Sequence, residues 1–185
     1  MDIEEIAAEI IRCRKCDLHL ERRKPVPGEG PEDAKVIFVG EAPGKEEDRV
    51  GRPFIGRAGG LLTDSLREAG LRREDVFITN VVKCRPPDNR NPRRDEISSC
   101  IPYLERQITA IDPEVICLLG RVALQALLKE TTVSKVHGKV IQRDRTYMPM
   151  YHPAAVLRNP ELRTVMIEDM RRLRRFLSDS NSRKD

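Results

Sequence analysis

The chain has 185 residues and a hydrophobic fraction of 39%, which suits one domain with a buried core that needs no disulfide bridges. No apolar run approaches the length of a membrane-spanning helix, and the first twelve residues carry acids where a secretory signal would be cationic. We therefore expect a soluble, cytoplasmic monomer with no membrane partner. The net charge of +4 favours an anionic partner only if the basic residues cluster. The excess of Arg over Lys is compatible with the ion-pair networks of a thermophilic protein.

Apolar runs typical of buried strands alternate with helical patterns along the chain. The strands are predicted at 35–40, 76–82, 114–120 and 147–152, and the helices at 3–12, 58–69, 93–110, 121–129 and 160–177. This alternation predicts an α/β fold, a three-layer α/β/α sandwich with a mainly parallel central sheet. We predict one domain over residues 1–177, followed by a disordered tail at 178–185 that lacks apolar residues.

The cysteines are the most informative residues of the chain. A Cys13-x-x-Cys16 pair lies near the start, and Cys84 and Cys100 each stand beside an Arg-rich segment. In a chain with no secretory segment, this pattern predicts the ligands of one metal centre rather than disulfides. Zinc and an iron-sulfur cluster satisfy the same ligand count, so the spacing alone leaves both open. Cys117 lies within an apolar strand and is predicted to be an inert core thiol.

Ligands of parallel sheets usually bind beyond the carboxyl ends of the strands, so the loops after the predicted strands are the candidate sites. The first of these loops, 40–47, contains two glycines and a proline, which let the backbone approach a planar ligand. A phosphate-binding P-loop is a poor match, because the glycine spacing is one residue short and Glu46 replaces the required Ser or Thr. Phe54 follows between glycines, and its ring can stack on a nucleic-acid base or simply fill the core.

The second loop begins with Asn80, whose amide can donate and accept hydrogen bonds, as the edge of a pyrimidine requires. A structural turn cap is the alternative role for this side chain. Basic residues crowd the same stretch, and Lys83 and Arg85 are predicted to contact DNA phosphates. A solvated charged face is the usual outcome of such runs, but the nearby cysteine favours DNA binding.

The third loop begins with His152 at the end of the last predicted strand, where its imidazole can donate a hydrogen bond into the same pocket. Pro153 then starts a helix. In this segment Val156 and Leu157 are predicted to wedge into a duplex, and Arg158 is predicted to hold a phosphate. The other two histidines, His19 and His137, have no comparable sequence around them and are predicted to be structural or surface residues.

Four strings of the chain resemble the family 4 uracil-DNA glycosylases: GEAPGKEED at 40–48, GRPFIGRAG at 51–59, TNVVKCRPPDNRNP at 79–92 and YHPAAVLR at 151–158. Together with the cysteines, the resemblance covers nearly everything except the tail. It implies an α/β/α glycosylase that removes uracil from single- or double-stranded DNA and so initiates base excision repair. It also implies a 4Fe-4S cluster, whose ligands would be Cys13, Cys16, Cys84 and Cys100. A replication clamp is a further candidate partner, although no clamp-binding peptide is evident.

The resemblance also implies roles for the loop residues. Phe54 would stack on the flipped base, Asn80 would read its edge, and His152 would bond the uracil carbonyl oxygen. The backbone of residues 40–42, which are Gly40, Glu41 and Ala42, would complete the cradle. Family 1 enzymes carry an Asp where this chain has Ala42, so the expected water-activating carboxylate is missing. Glu41, with help from Asn89, is the predicted substitute.

Rejection of thymine requires an obstacle near C5 of the base. Gly44 leaves that space open, and Glu47 is predicted to reach into it. Two other classes of function remain as alternatives at this point. One is a non-catalytic, metal-stapled nucleic-acid-binding module, and the other is a thiol redox protein built on the Cys13-x-x-Cys16 pair.

Overall fold

The structure is a computed structural model that describes residues 2–130 and 132–181. Its centre is a five-stranded sheet in the order β2-β1-β3-β5-β4. The strands are β1 Val36–Gly40, β2 Phe77–Asn80, β3 Val115–Leu119, β4 Ile141–Gln142 and β5 Thr146–Met150. The first four strands in that order pair in parallel, and the short β4 pairs antiparallel to β5 at one edge. The predicted, mainly parallel sheet is therefore confirmed.

Nine helices are described: α1 Ile3–Arg12, α2 Leu18–Glu21, α3 Lys45–Val50, α4 Arg57–Glu68, α5 Arg94–Ile111, α6 Arg121–Leu128, α7 Val133–Val136, α8 Pro153–Arg158 and α9 Leu162–Asn181. Short 3-10 turns lie at Arg73–Asp75 and Pro87–Asn89. The five long helices match the predicted segments to within a few residues. The pattern does not predict α2, α3 or α7, because four to six residues are too few to show a helical period. Among the described helices, none is long and apolar enough to cross a membrane.

Both faces of the sheet are buried, because successive side chains of a strand point to opposite sides. Ile37 and Val39 of β1 pack into a core that contains residues of α1, α5 and α6. Val36 and Phe38 pack on the opposite side with residues of α4, α8 and α9. This arrangement confirms the three-layer α/β/α sandwich.

The parallel strands end at one edge of the sheet, and three of them, including β3, end one or two residues earlier than predicted. Strand β2 ends at Asn80. In the loop that follows, the N–H groups of Val81 and Val82 donate to the carbonyls of Gly40 and Glu41 (2.9 and 3.2 Å). Strand β5 ends at Met150. His152 lies two residues beyond this end and forms the N-cap of α8.

The carboxyl-terminal segment departs from its prediction. Helix α9 continues to Asn181, so residues 178–181 are helical rather than a disordered tail. The rest of that predicted tail, residues 182–185, lies outside the described residues.

Candidate active site and cysteine pocket

A cleft of about 790 Å³ opens where the parallel strands end. This size is typical of small-molecule sites. Its wall includes one residue at or just after the end of each parallel strand: Glu41, Asn80, Gly120 and His152. Phe54 lines the same cleft, so the three residues predicted to share one pocket do meet there.

The rings of Phe54 and His152 pack beside each other in the cleft wall, with centroids 5.6 Å apart and ring planes tilted by 35°. Gly40 allows Phe54 and Asn80 to approach the end of β1 closely. A Cβ at Gly40 would lie only 2.5 Å from both Phe54 Cζ and Asn80 Oδ1. The missing side chain at the end of β1 therefore brings the ring and the amide together beside the strand tip.

The Asn80 side chain holds a buried acceptor with no partner. The residue is 1% exposed, and its Oδ1 has no hydrogen-bond partner among the described residues. An unsatisfied buried polar atom costs about 1–3 kcal/mol, so such atoms are rare in folded proteins. Because Asn80 also lines the cleft, a ligand that carries an N–H donor would satisfy it.

The His152 imidazole is neutral and has a defined tautomer. Its Nδ1 accepts a hydrogen bond from the Ala154 N–H at 3.0 Å, which caps α8. Burial, and then the charge of Arg158, lower the pKa of His152 to about 4. With Nδ1 used as an acceptor, the single ring proton resides on Nε2. His152 can therefore offer a neutral N–H donor to a ligand in the cleft.

Glu41, Ala42 and Asn89 also line the cleft. Burial raises the pKa of Glu41, although the charges of Arg121 and Arg158 act in the opposite direction. The Asn89 Oδ1 accepts a hydrogen bond from Arg85 Nε at 2.7 Å. The cleft thus brings the two predicted water-activating residues to its wall, and their catalytic role stays a prediction.

Glu47 lies where the sequence places it, beside Gly44, but it also has an anchoring role that the sequence did not indicate. Its Oε1 accepts hydrogen bonds from the N–H groups of Ile55 (2.9 Å) and Gly56 (2.7 Å), and its Oε2 accepts from the Gly44 N–H (3.1 Å). This buried carboxylate therefore joins the loop after β1 to the loop that carries Phe54. The rejection of thymine by Glu47 stays a prediction.

Lys83 does not contact solvent, so its prediction as a phosphate-binding residue is wrong. The side chain is 1% exposed. Its Nζ donates to Thr79 Oγ1 (2.6 Å), to the Asn80 carbonyl (2.8 Å) and to Gln107 Oε1 (2.7 Å). These three acceptors compensate the amine for the loss of its hydration. Lys83 therefore stabilises the end of β2 from inside the core.

The prediction that Val156 enters a duplex is also wrong, because this residue of α8 is 2% exposed and packs in the core. A buried side chain cannot enter a DNA duplex. Leu157, by contrast, is 39% exposed, and Arg158 is exposed on the cleft wall. Arg85 is partly exposed. DNA contacts by these three residues stay predictions.

Some residues of the cleft wall were missed by sequence reasoning. Arg121 begins α6 directly after β3, and Val133 and Ser134 belong to α7. The signal for Arg121 was present, because it follows an apolar strand at the same edge as the predicted loops. The α7 residues carried no such signal.

A second pocket collects the cysteines predicted to bind a metal. It is lined by side chains that include Cys13, Cys16, Cys84 and Cys100, which come from three separate parts of the chain. The Cys84 sulfur accepts a hydrogen bond from Arg22 Nη1 at 2.9 Å. The Cys100 sulfur accepts one from the backbone N–H of Lys83 at 3.3 Å. All of these cysteines are free thiols.

Burial opposes ionisation of two of these thiols, so metal binding would displace their protons. Burial raises the pKa of Cys84, and it raises the pKa of Cys100 to about 11, so both sulfurs are protonated near neutral pH unless a cation binds them. No group of three or more His, Cys, Asp or Glu side chains within the described residues is arranged to hold a single metal ion. Cys117 is fully buried on the opposite face of the sheet, which confirms it as a core thiol.

The fold and the cleft agree with comparisons to known proteins. The family model of the uracil DNA glycosylase superfamily matches residues 27–174, and the chain belongs to this superfamily. A type-4 uracil-DNA glycosylase of Archaeoglobus fulgidus is 50% identical over 92% of this chain and 91% of its own length. A type-4 uracil-DNA glycosylase of Thermotoga maritima is 46% identical over 95% of this chain and 94% of its own length. A type-5 enzyme of Pyrobaculum aerophilum is 35% identical over 71% of this chain. Within the superfamily, the chain is a type-4 member, as its motifs predicted.

Proposed function

We propose that the protein binds DNA, rotates a deoxyuridine out of the strand and hydrolyses its N-glycosidic bond. The product is free uracil and an abasic site, which initiates base excision repair. The observation that carries this proposal is the buried, unpartnered Asn80 Oδ1, which lines a cleft together with Phe54 and a neutral His152. The relatives that match this chain over nearly their whole length are named uracil-DNA glycosylases, which supports the same reaction.

Recognition of the base follows from hydrogen-bond polarity. Uracil carries an N3–H, which can donate to Asn80 Oδ1, and the amide nitrogen of Asn80 can donate to a uracil carbonyl. Cytosine has an acceptor at N3 instead, which would leave the buried Oδ1 without a partner. Stacking on the Phe54 ring contributes about 1–3 kcal/mol for any base and therefore adds affinity rather than selectivity.

Hydrolysis requires stabilisation of the leaving group. Water adds its oxygen to C1′ of the sugar, the bonding electron pair leaves with N1, and negative charge spreads to the uracil carbonyl oxygens. The proton that the water loses then neutralises the departed uracil anion. The Nε2–H of His152 donates to the oxygen on which this charge grows, and this contact strengthens in the transition state. Glu41 and Asn89 line the cleft where they can orient the water. The water attacks a sugar that is already dissociating, so this orientation contributes less than His152 does.

The decisive test is release of free uracil from a labelled oligonucleotide that contains one deoxyuridine. The purified protein is expected to release uracil from single strands and from duplexes, because flipping costs only a few kcal/mol in a duplex. A protein that binds the oligonucleotide and leaves the base attached would instead be a non-catalytic nucleic-acid-binding module.

Asn80→Asp is expected to convert selectivity from uracil towards cytosine. The new carboxylate can accept from the cytosine amino group, and it repels the uracil carbonyl that the amide nitrogen bonded. Uracil release should fall by about 10–100-fold, which corresponds to the loss of one or two buried hydrogen bonds, while cytosine release becomes measurable. Asn80→Ala is the matched control, since it loses uracil activity without gaining cytosine activity. Unchanged, uracil-only excision by Asn80→Asp would remove Asn80 from base recognition.

Glu47 completes the selectivity of the cleft in this proposal. Its carboxylate occupies the space beside Gly44, where it would exclude the C5 methyl group of thymine. The same oligonucleotide assay with a thymine base tests this role, and a Glu47→Ala enzyme that still rejects thymine would contradict it.

We further propose that Cys13, Cys16, Cys84 and Cys100 hold a 4Fe-4S cluster. Such a cluster takes one cysteine per iron, so its ligands stand farther apart than those of one tetrahedral zinc ion. The four cysteines line one pocket although they come from three separate parts of the chain, which supports a shared metal centre. When bound, the cluster supplies a covalent cross-link between the amino-terminal helices, the loop after β2 and α5. The donors from Arg22 and Lys83 offset negative charge on the sulfurs.

Cys100→Ser is expected to abolish cluster binding and lower stability. Iron and sulfide should fall from about four each per chain towards zero, together with the brown colour. A loss of about 4 kcal/mol would lower Tm by roughly 8–16 °C for a domain of this size. Cys117→Ala is the matched control, since that thiol is buried on the other face and should leave the iron content unchanged. A colourless wild-type protein with one zinc ion per chain would overturn the cluster assignment.

A further inference from the structure

The backbone of Phe54 is held in an unfavourable conformation. Its φ is +48°, in the left-handed region that bulky side chains rarely adopt. Such conformations cost about 1–3 kcal/mol and persist only where the surroundings impose them. Phe54 is 6% exposed, and its ring faces His152. Something in the fold must therefore hold this residue in place.

Arg73, which lies in the 3-10 turn before β2, binds the carbonyl oxygens of the two peptide groups on either side of the Phe54 Cα. Its Nη1 donates to the Phe54 carbonyl at 2.8 Å, and its Nη2 donates to the Pro53 carbonyl at 2.7 Å. The same two nitrogens also donate to Thr63 Oγ1 (3.0 Å) and Glu29 Oε1 (3.0 Å). The side chain of Arg73 is only 18% exposed, so these bonds are largely shielded from water.

The following residues of the same loop are held through their N–H groups. Glu47 Oε1 accepts from Ile55 and Gly56, the next two residues along the chain. A cation therefore binds the carbonyls of residues 53 and 54, and an anion binds the N–H groups of residues 55 and 56. Because both partners are side chains from other segments, the loop conformation is imposed from outside rather than by local preference.

We propose that Arg73 is a positioning residue for uracil recognition, which acts by fixing Phe54 in the conformation that presents its ring to the base. This inference rests on the proposed function, because stacking on uracil is what the ring orientation serves. Glu29 assists by accepting from Arg73 while its other oxygen accepts from Arg52 at 2.8 Å. A lysine cannot replace this arrangement, because one ammonium lacks the planar fork that reaches both carbonyls.

A double-mutant cycle separates this role from a general structural one. Arg73→Met is expected to lower kcat/KM for uracil release by about 10–100-fold, the range that a displacement of about 1 Å produces. In a Phe54→Ala background, the same substitution should change kcat/KM by less than about threefold, because the ring through which Arg73 acts is absent. Equal losses in both backgrounds would overturn the proposal.

Arg72→Met is the matched control. It removes the same charge one residue earlier, from a side chain whose partners among the described residues are exposed acids, chiefly Asp75 at 2.6 Å, so activity should be unchanged. If Arg73→Met does not fold, Arg73→Lys carries the same cycle with the charge retained. The backbone ¹³C chemical shifts of Phe54 give a second readout that needs no catalysis. A Phe54 that keeps its left-handed shifts in the Arg73 variant would overturn the proposal, whereas failure of the wild type to release uracil would instead overturn the proposed function.

Discussion

His152→Ala is expected to lower kcat for uracil release by about 10²–10³-fold, the loss typical of removing one donor to a developing oxyanion. The reason is that the Nε2–H bond strengthens as charge moves onto the base, so the transition state loses more than the ground state does. KM should change little by comparison. Single-turnover kinetics on a deoxyuridine oligonucleotide measure this effect without interference from product release.

The same substitution removes the N-cap of α8, because His152 Nδ1 accepts from the Ala154 N–H. This loss should cost about 1 kcal/mol of stability in addition to the catalytic effect. His152→Asn separates the two effects, since asparagine is a favoured N-cap but is too short to place a donor where Nε2 stood. We expect this variant to keep most of the wild-type Tm and to remain as slow as His152→Ala. Recovery of kcat in His152→Asn would mean that capping, rather than donation to the base, is the role of His152.

The low pKa of His152 also sets a pH dependence. The folded protein keeps this imidazole neutral down to about pH 4, whereas an unfolded histidine takes up its proton near pH 6.5. Between these values the unfolded state binds more protons, so the stability contributed by His152 is present above about pH 6.5 and is lost as the pH falls towards 4. The neutral donor should keep the enzyme active through the same interval, and an acid limb of kcat near pH 6.5 would contradict this assignment.

Gly59→Ala is expected to cause the second large loss, although the residue does not line the cleft. A Cβ on Gly59 would overlap the carbonyl group of Phe54, so helix α4 and the Phe54 loop could not keep their present separation. The overlap should cost about 1–3 kcal/mol of stability. The displaced ring should lower kcat/KM by about 10²-fold. Thermal unfolding and uracil release measured on the same preparation test both effects.

Gly60→Ala is the matched control in the next position of the same helix. Nothing lies within 4 Å of a Cβ built at Gly60. Alanine there should therefore stabilise the helix by roughly 0.5–1 kcal/mol without changing activity. If Gly59→Ala behaves like Gly60→Ala, the close approach of α4 to Phe54 has no functional importance.

Features encoded by neighbouring residues were predictable from the chain. The apolar runs around Val36–Gly40 and Val115–Leu119 gave the strands, because burial on both faces of a parallel sheet requires continuous apolar residues. The loops at the ends of the other two parallel strands, β2 and β5, predicted Asn80 and His152 as cleft residues. The short edge strand Ile141–Gln142 escaped prediction, because two residues carry no period and its pairing depends on β5.

Side chains whose partners come from distant segments were assigned less well. Lys83 reads as a surface charge within a basic run, yet Gln107, which lies 24 residues away, draws its amine into the core. Arg73 has no motif of its own, and its importance depends on Phe54 and on Glu29, which is 44 residues away. The residue type at such a position indicates what bonds it can make but not where its partners lie.

The amino-acid sequence alone determined the α/β class, the cysteines proposed as ligands and the identity of the loops that surround the cleft, because local propensity and spacing are properties of adjacent residues. Only the tertiary structure decided which basic residues are buried, which imidazole nitrogen carries the proton and what holds Phe54 in its left-handed conformation. Those properties depend on hydrogen-bond partners and desolvation, and both are set by the order of the strands and the packing of helices against them.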